Sequence, residues 1–200
     1  ALMYGVSRLH DNDKFNVIVF NNSARKLFSS SLDAHAENRE KAVQVISSIN
    51  ASGGTEISAA LKIALDGRSD HQHIRQVVFL TDGAVGNEDA LFSLITKKLG
   101  DARLFTIGIG SAPNTHFMSR AATMGRGSYC YIGKVDEVNT KMKTLLERLE
   151  QPVVTGLRLL TEDDNAIEMY PDPLPDLYMG EPMVALLKSD RPLEKVRLSG

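Results

Sequence analysis

Tryptophan is absent from these 200 residues and cysteine occurs once, at Cys130. A lone cysteine excludes an internal disulfide framework and any cysteine-cluster zinc site. It leaves the compartment open, because an extracellular protein can also lack disulfides. An excess of either charge is missing too: 23 Lys and Arg face 25 Asp and Glu, for a net charge of −2. No basic field is available to hold nucleic acid or an anionic membrane. No apolar run approaches the roughly 18 residues of a membrane span. A phosphate-cradling P-loop is absent, Ser58 and Ser111 lack a Gly-x-Ser-x-Gly elbow, and the chain has no internal repeats.

What is present suits one domain of ordinary size with a small appendage, and 42% hydrophobic residues suffice for a sizeable core. Gln76-Val77-Val78-Phe79-Leu80-Thr81-Asp82-Gly83 is the organising stretch. Its unbroken apolar run, rich in β-branched and aromatic residues, reads as a strand buried on both faces. It stops at Thr-Asp-Gly, which sets a carboxylate where a parallel sheet meets its loops. Upstream, Ala51-Ser52-Gly53-Gly54-Thr55-Glu56 offers hydroxyls on a glycine turn.

Around these two stretches the elements alternate. Leu2, Val6 and Leu9 recur at helical spacing with no cap before them, so the opening reads as the second half of a helix, and the chain as a piece of a longer polypeptide. A strand is expected over Phe15–Phe20, a tight turn at Asn21-Asn22-Ser23, and an antiparallel return strand over Ala24–Ser30. Helices follow over 38–49, 56–65, 88–99, 114–124 and 135–149, with strands at 76–81, 103–109 and 128–132 between them. Connections this short imply an α/β fold, a doubly wound, mostly parallel Rossmann-like sheet with helices on both faces. The pattern changes at Gln151. Four strands without helices, over 153–160, 166–170, 183–188 and 194–198, should pair antiparallel. The expected division is therefore 1–150 and a small β segment over 151–200, too short for an independent core.

Thr55 and Asp82 are the candidate site. A hydroxyl and a carboxylate at the carboxyl ends of parallel strands are hard oxygen donors, suited to a divalent cation such as magnesium. Local pattern alone supports a plainer role, with Thr55 capping the helix near Glu56 and Asp82 capping its own turn. His71-x-His73 could supply two metal ligands, but it lies in a polar connection and reads as a solvated loop. Gly108-x-Gly110 after a strand has the start of a dinucleotide-binding turn, which Ala112-Pro113 breaks. Cys130, between Tyr129 and Tyr131, reads as a buried inert thiol rather than a nucleophile.

Read together, Leu9-x-x-x-Asp13-x-Phe15, Gly53-Gly54-Thr55-x-Ile57-x-x-Ala60-Leu61, Phe79-Leu80-Thr81-Asp82-Gly83 and Phe105-Thr106-Ile107-Gly108-Ile109-Gly110 resemble a von Willebrand factor A domain. The likeness is closer to the A domain of inter-α-trypsin-inhibitor heavy chains and their bacterial relatives. Leu174-Pro175-Asp176-Leu177-Tyr178-x-Gly180-Glu181-Pro182 is similar to the segment that follows the domain there. The resemblance implies a metal-ion-dependent adhesion site of three loops, Asp-x-Ser-x-Ser, Thr and Asp. Thr55 and Asp82 match the second and third, and no Asp-x-Ser-x-Ser occurs in this sequence. The resemblance also implies that the first central strand, between the 15–20 and 76–81 strands, is missing here. The two open edges are then expected to pair with each other, with another copy, or with a tail segment.

The expected function is a non-enzymatic adhesion or protein-interaction module that, in the intact parent, grips a partner's acidic side chain through Mg2+, Mn2+ or Ca2+. In this fragment the metal should bind weakly or not at all. The alternative is an enzyme or nucleotide-binding domain on the same sheet. The carboxyl edge shows hydroxyls and one carboxylate but no histidine base, which favours the first reading. The resemblance implies an extracytoplasmic or cell-surface location.

Overall fold

The structure, a computed structural model, describes residues 2–49, 53–66, 73–82, 85–111, 113–151, 153–161, 167–179, 182–190, 192–193 and 195–200. Helix α1 (Leu2–Arg8) precedes the short strands β1 (Lys14–Phe15), β2 (Ile18–Phe20), β3 (Ala24–Lys26) and β4 (Leu32–Asp33). The strand expected over 15–20 is broken in the middle. Asn16 is the cause: its Oδ1 accepts from the backbone N–H of Val17 and Phe28, and its Nδ2 donates to the Phe28 carbonyl. A side chain thus takes over the ladder for one step and pairs the Val17 and Phe28 backbone groups there. β2 and β3 form the expected antiparallel hairpin, while β1 pairs with β4, a strand that local pattern did not reveal.

Helices α2 (Ala36–Ser47) and α3 (Ile57–Ala64) lead into the alternating body: β5 (Gln76–Thr81), α4 (Glu88–Lys98), β6 (Arg103–Ile109), α5 (Thr115–Met124), β7 (Tyr129–Ile132) and α6 (Glu137–Leu149). β5, β6 and β7 form a parallel sheet in that order, with Gln76 opposite Arg103 and Thr81 opposite Gly108. Successive side chains of β6 go to opposite faces. Leu104 joins Leu61 of α3, Ile95 of α4 and Phe117 of α5, whereas Phe105 and Ile107 join Met142 and Leu145 of α6. Thr106, fully buried toward α5, donates to the Met118 carbonyl at 2.8 Å. Helices cover both faces of a parallel sheet, as an α/β fold requires.

Strand β5 departs from expectation. Only Phe79 and Thr81 are buried, and among the described residues β6 is the one strand paired with it. A residue run apolar on both faces is thus only half-covered, with one ladder partner among the described residues. Among the described residues neither β2 nor a tail strand pairs with it, so the expected pairing of the two edges with each other or with a tail segment is not found there. Side chains span the interval instead: the rings of Phe20 and Phe79 stack 5.6 Å apart.

The tail holds β8 (Val153–Val154), β9 (Arg158–Thr161), β10 (Glu168–Tyr170), β11 (Leu177–Tyr178), β12 (Leu186–Lys188) and β13 (Val196–Ser199). They pair antiparallel as three two-stranded ribbons, β8 with β11, β9 with β13 and β10 with β12. Gly156, at φ +70°, interrupts the strand expected over 153–160. One tail stretch enters the body: Leu174, Asp176 and Tyr178 are buried, and Tyr178 packs with Phe105 in the α6-side core. The Asp176 carboxylate holds the Arg103 guanidinium through both oxygens, in an ion pair almost wholly shielded from water.

Candidate metal-binding edge

The carboxyl end of the sheet gathers the loops that matter. Thr55 lies just before α3 and Asp82 just after β5, both exposed. Contacts tie the two loops to one end of the molecule. The Gly54 N–H donates to Asn22 Oδ1 at 2.6 Å, and the Glu56 N–H donates to the Asn21 carbonyl at 2.7 Å. Asn21 follows Phe20, whose ring stacks on Phe79 three residues before Asp82. Gly54 is needed for this approach, since a Cβ there would sit 2.7 Å from Asn22 Oδ1. The turn Asn21-Asn22-Ser23 therefore positions the threonine loop. Local pattern identified that turn and gave no sign of its clamp.

The plainer capping role has no support at Thr55: α3 begins without a side-chain cap, and only the Thr55 carbonyl is used, accepting from the Ile57 N–H. Among the described residues no hydrogen bond or ion pair engages the Thr55 hydroxyl or the Asp82 carboxylate. Both oxygens are free to coordinate. They match the hard donors that magnesium or manganese accepts, but two fall short of the six it takes. No group of three or more His, Cys, Asp and Glu that could hold an ion occurs among the described residues. The donors thus fit part of a coordination shell. Gly83, next to Asp82, and His71 of the His-x-His pair lie outside the described residues.

A second polar group shares this edge. Glu88 opens α4, accepts from Asn114 Nδ2 at 2.6 Å and bonds His116 Nδ1 at 3.1 Å, while Asn114 Oδ1 caps α5 by accepting from the Phe117 N–H. The Asn114 and His116 bonds hold the Glu88 carboxyl below the usual range. The expectation of one carboxylate and no histidine at this edge is thereby corrected: nothing in the sequence linked residues 88, 114 and 116, and their meeting follows from β5 and β6 being parallel neighbours.

At the Gly108-x-Gly110 turn the first glycine is closed off by protein, while a Cβ on Gly110 would meet open space. A Cβ on Gly108 would meet Pro113 at 2.8 Å and the Tyr129 hydroxyl at 2.9 Å, so its backbone faces side chains rather than open space. Tyr131 donates to the Gly110 carbonyl from the other side. Cys130 is half-buried and its thiol is pushed up by burial, as an inert thiol should be.

The sequence profile of the von Willebrand factor type A domain matches residues 1–131. The chain belongs to that family. A von Willebrand factor A domain-containing protein of Dictyostelium discoideum is 30% identical over 205 residues, covering 100% of this chain and 22% of that protein. Von Willebrand factor A domain-containing protein 5B1 of Mus musculus is 27% identical over 158 residues, 78% of this chain and 13% of that protein. The chain spans less than a quarter of the curated relatives it matches, with shares of 22%, 22% and 24% for the first three. Among solved structures, a von Willebrand factor type A protein from Catenulispora acidiphila superposes with TM-score 0.68 at 20% identity, covering 96% of this chain and 47% of that one. Proximal thread matrix protein 1 from the mussel byssus, with a zinc-occupied MIDAS motif, superposes with TM-score 0.56 at 18% identity over 73% of this chain and 38% of that one. The A-domain fold is thereby shown. The family is one generally used for protein interaction, and its members can hold a divalent metal at the MIDAS site.

Proposed function

We propose that this A domain is a non-enzymatic adhesion module whose Thr55 hydroxyl and Asp82 carboxylate contribute to a magnesium or manganese site that receives an acidic side chain of a partner protein. The observation that carries this reading is that both groups lie exposed at one end of the sheet with no hydrogen-bond partner among the described residues. A cation with few anionic ligands keeps much of its charge, which is the chemistry a partner carboxylate would meet there. The protein's own part is positional. Asn21 and Asn22 fix the Thr55 loop, and the Phe20–Phe79 stack ties that loop to β5.

Two protein donors leave most of the six positions of magnesium to other ligands, so these residues alone hold it weakly. The nearer kinship is with the A domains of inter-α-trypsin-inhibitor heavy chains, and the place of action is extracytoplasmic; the first rests on the sequence motifs and the second on that resemblance only. The competing nucleotide reading gains no support from the Gly108 turn, whose space Pro113 and Tyr129 occupy.

Manganese titration followed by NMR line broadening tests the site. At millimolar Mn2+, broadening should centre on residues 53–56 and 82, and it should vanish in Asp82→Ala and weaken in Thr55→Val. Broadening centred elsewhere, or unchanged in Asp82→Ala, overturns the assignment. Micromolar magnesium affinity by calorimetry, lost in Asp82→Ala, overturns the claim that the chain carries only part of the shell.

A further inference from the structure

Beside the metal-binding edge, the face formed by α4 and α5 carries polar side chains that are fixed in place with their binding atoms unused. His116 and Arg120 are related as i and i+4 on α5, so they stand one above the other on one side of the helix. His116 Nδ1 bonds Glu88 Oε2 at 3.1 Å, and its ring stands perpendicular to that of Phe92, the centres 6.4 Å apart. The Arg120 guanidinium lies 4.3 Å from the centre of the same Phe92 ring. Phe92 is buried in the core shared by α3, α4 and α5, so it is a rigid plate on which both exposed groups rest.

The unused atoms have definite chemistry. An ionised carboxylate can only accept, so the Nδ1 beside Glu88 carries the proton and Nε2 of the neutral ring presents a lone pair. Among the described residues no hydrogen bond engages that Nε2, and His116 is 71% exposed. No hydrogen bond or ion pair among the described residues engages the Arg120 guanidinium either. Glu88 attracts Arg120 at longer range, but its Oε1 already accepts from Asn114 and its Oε2 is held by His116. A guanidinium seated over a ring keeps its N–H edges for another group, and their planar fork fits a carboxylate. Thr81 and Gly108 are opposite one another in parallel strands, so the loops leading to α4 and α5 leave the same end of the sheet as Asp82.

We propose that this α4–α5 face is the second half of the partner site, where Arg120 takes a second carboxylate of the partner and His116 Nε2 accepts one of its peptide N–H groups. The inference rests on the reading of Thr55 and Asp82 as a metal edge. It narrows the partner to a segment with two acidic side chains, one for the cation and one for Arg120. Two contacts on one segment reinforce each other because the second forms within an existing complex. The same arrangement discriminates against a segment with a single carboxylate, which leaves one of the two positions empty.

The test is NMR titration of the full 200-residue chain with a blocked hexaglutamate peptide, at millimolar Mg2+ and ionic strength fixed by chloride. Signals of residues 116–120 and of the Arg120 side-chain N–H should shift together with those of residues 53–56 and 82. Arg120→Gln should weaken binding roughly two- to fivefold, the range of an exposed charge pair, and His116→Phe by less. Arg158→Gln, at an exposed position of β9, should leave it unchanged. With a peptide carrying one glutamate among glutamines, Arg120→Gln and the parent should bind alike. In metal-free buffer the hexaglutamate shifts at 116–120 should persist while those at 82 vanish. Indifference to Mg2+ and to Asp82→Ala, with Arg120→Gln still weakening binding, overturns the metal reading and leaves the Arg120 contact standing. Binding that needs Mg2+ and Asp82 yet is equal in Arg120→Gln and the parent, or that Arg158→Gln weakens as much, overturns the present inference.

Discussion

Strands β6 and β12 are both rich in large aliphatic residues and end in opposite circumstances. Six of the seven residues in β6 are buried, whereas all three in β12 are exposed, with Leu186 at 67%. The difference is the neighbourhood. β6 has a hydrogen-bonded strand on each side, with α5 against one face and α6 against the other. Among the described residues β12 has one strand partner, β10, and its side chains stay exposed. A two-stranded ribbon cannot bury its own apolar side, so the tail depends on the body for what stability it has. Among the described residues it draws on the body through Val153, which packs against the α6-side core, and through the 174–178 segment, which brings Asp176 to Arg103 and Tyr178 to Phe105.

The largest effect should come from cutting that link. Asp176→Ala leaves the Arg103 guanidinium buried without its counter-charge, which costs about 3–5 kcal/mol for pairs of this kind. Chemical denaturation should show the loss. The equivalent change on a ribbon, Glu168→Ala, breaks an ion pair to Lys188 whose side chains are 70% and 72% exposed, and it should leave the midpoint unmoved. Equal losses for the two would mean that the tail is not anchored where the structure has it.

Next in size is the aliphatic pair. Ile107 is fully buried, and truncation to alanine should cost about 2–5 kcal/mol through lost transfer energy and the cavity left behind. Leu186→Ala should stay within about 0.5 kcal/mol, the ordinary range for surface changes. A large effect at Leu186 would show that something covers β12 in solution.

The same contrast separates what the sequence made legible. β6 and the helices beside it were readable within a residue or two, because period and burial agree there: Arg103–Ile109 was expected and is found, and α5 begins one residue after its expected start. The hairpin at Asn21–Ser23 was equally plain from its turn residues. Non-local partners were not. The break at Asn16 depends on Phe28, twelve residues away, and the fate of β5 depends on which strands lie beside it. Thr55 and Asp82 were singled out by type and by the resemblance, and the structure sets them at one end of the sheet, where among the described residues no hydrogen bond engages their side-chain oxygens. The clamp from Asn22 to Gly54, thirty-two residues apart, and the Arg103–Asp176 pair, seventy-three apart, leave no trace in any local window.

The smallest predicted effect concerns Glu88, which joins the loops after β5 and β6 by its bonds to Asn114 and His116. Its carboxyl is held below the ordinary range first by Asn114 and then by His116. A carboxyl depressed on folding stabilises the native state above its unfolded value, and that contribution disappears as pH falls through the folded one. Because the side chain meets solvent, the contribution is small and further reduced by salt. Carbon-detected NMR titration of Glu88 should therefore give a midpoint below that of an unperturbed glutamate, and Asn114→Ala should raise it more than His116→Ala. Melting temperature should fall slightly less steeply in Glu88→Gln than in the parent between neutral pH and the carboxylate range. A Glu88 midpoint at the ordinary value would mean that the α4 and α5 starts are not joined, and the order of the two alanine effects tests which bond holds them. Unlike the Asp176 link, this one joins two loops of the body that already share a sheet, so breaking it should leave the fold and the tail in place.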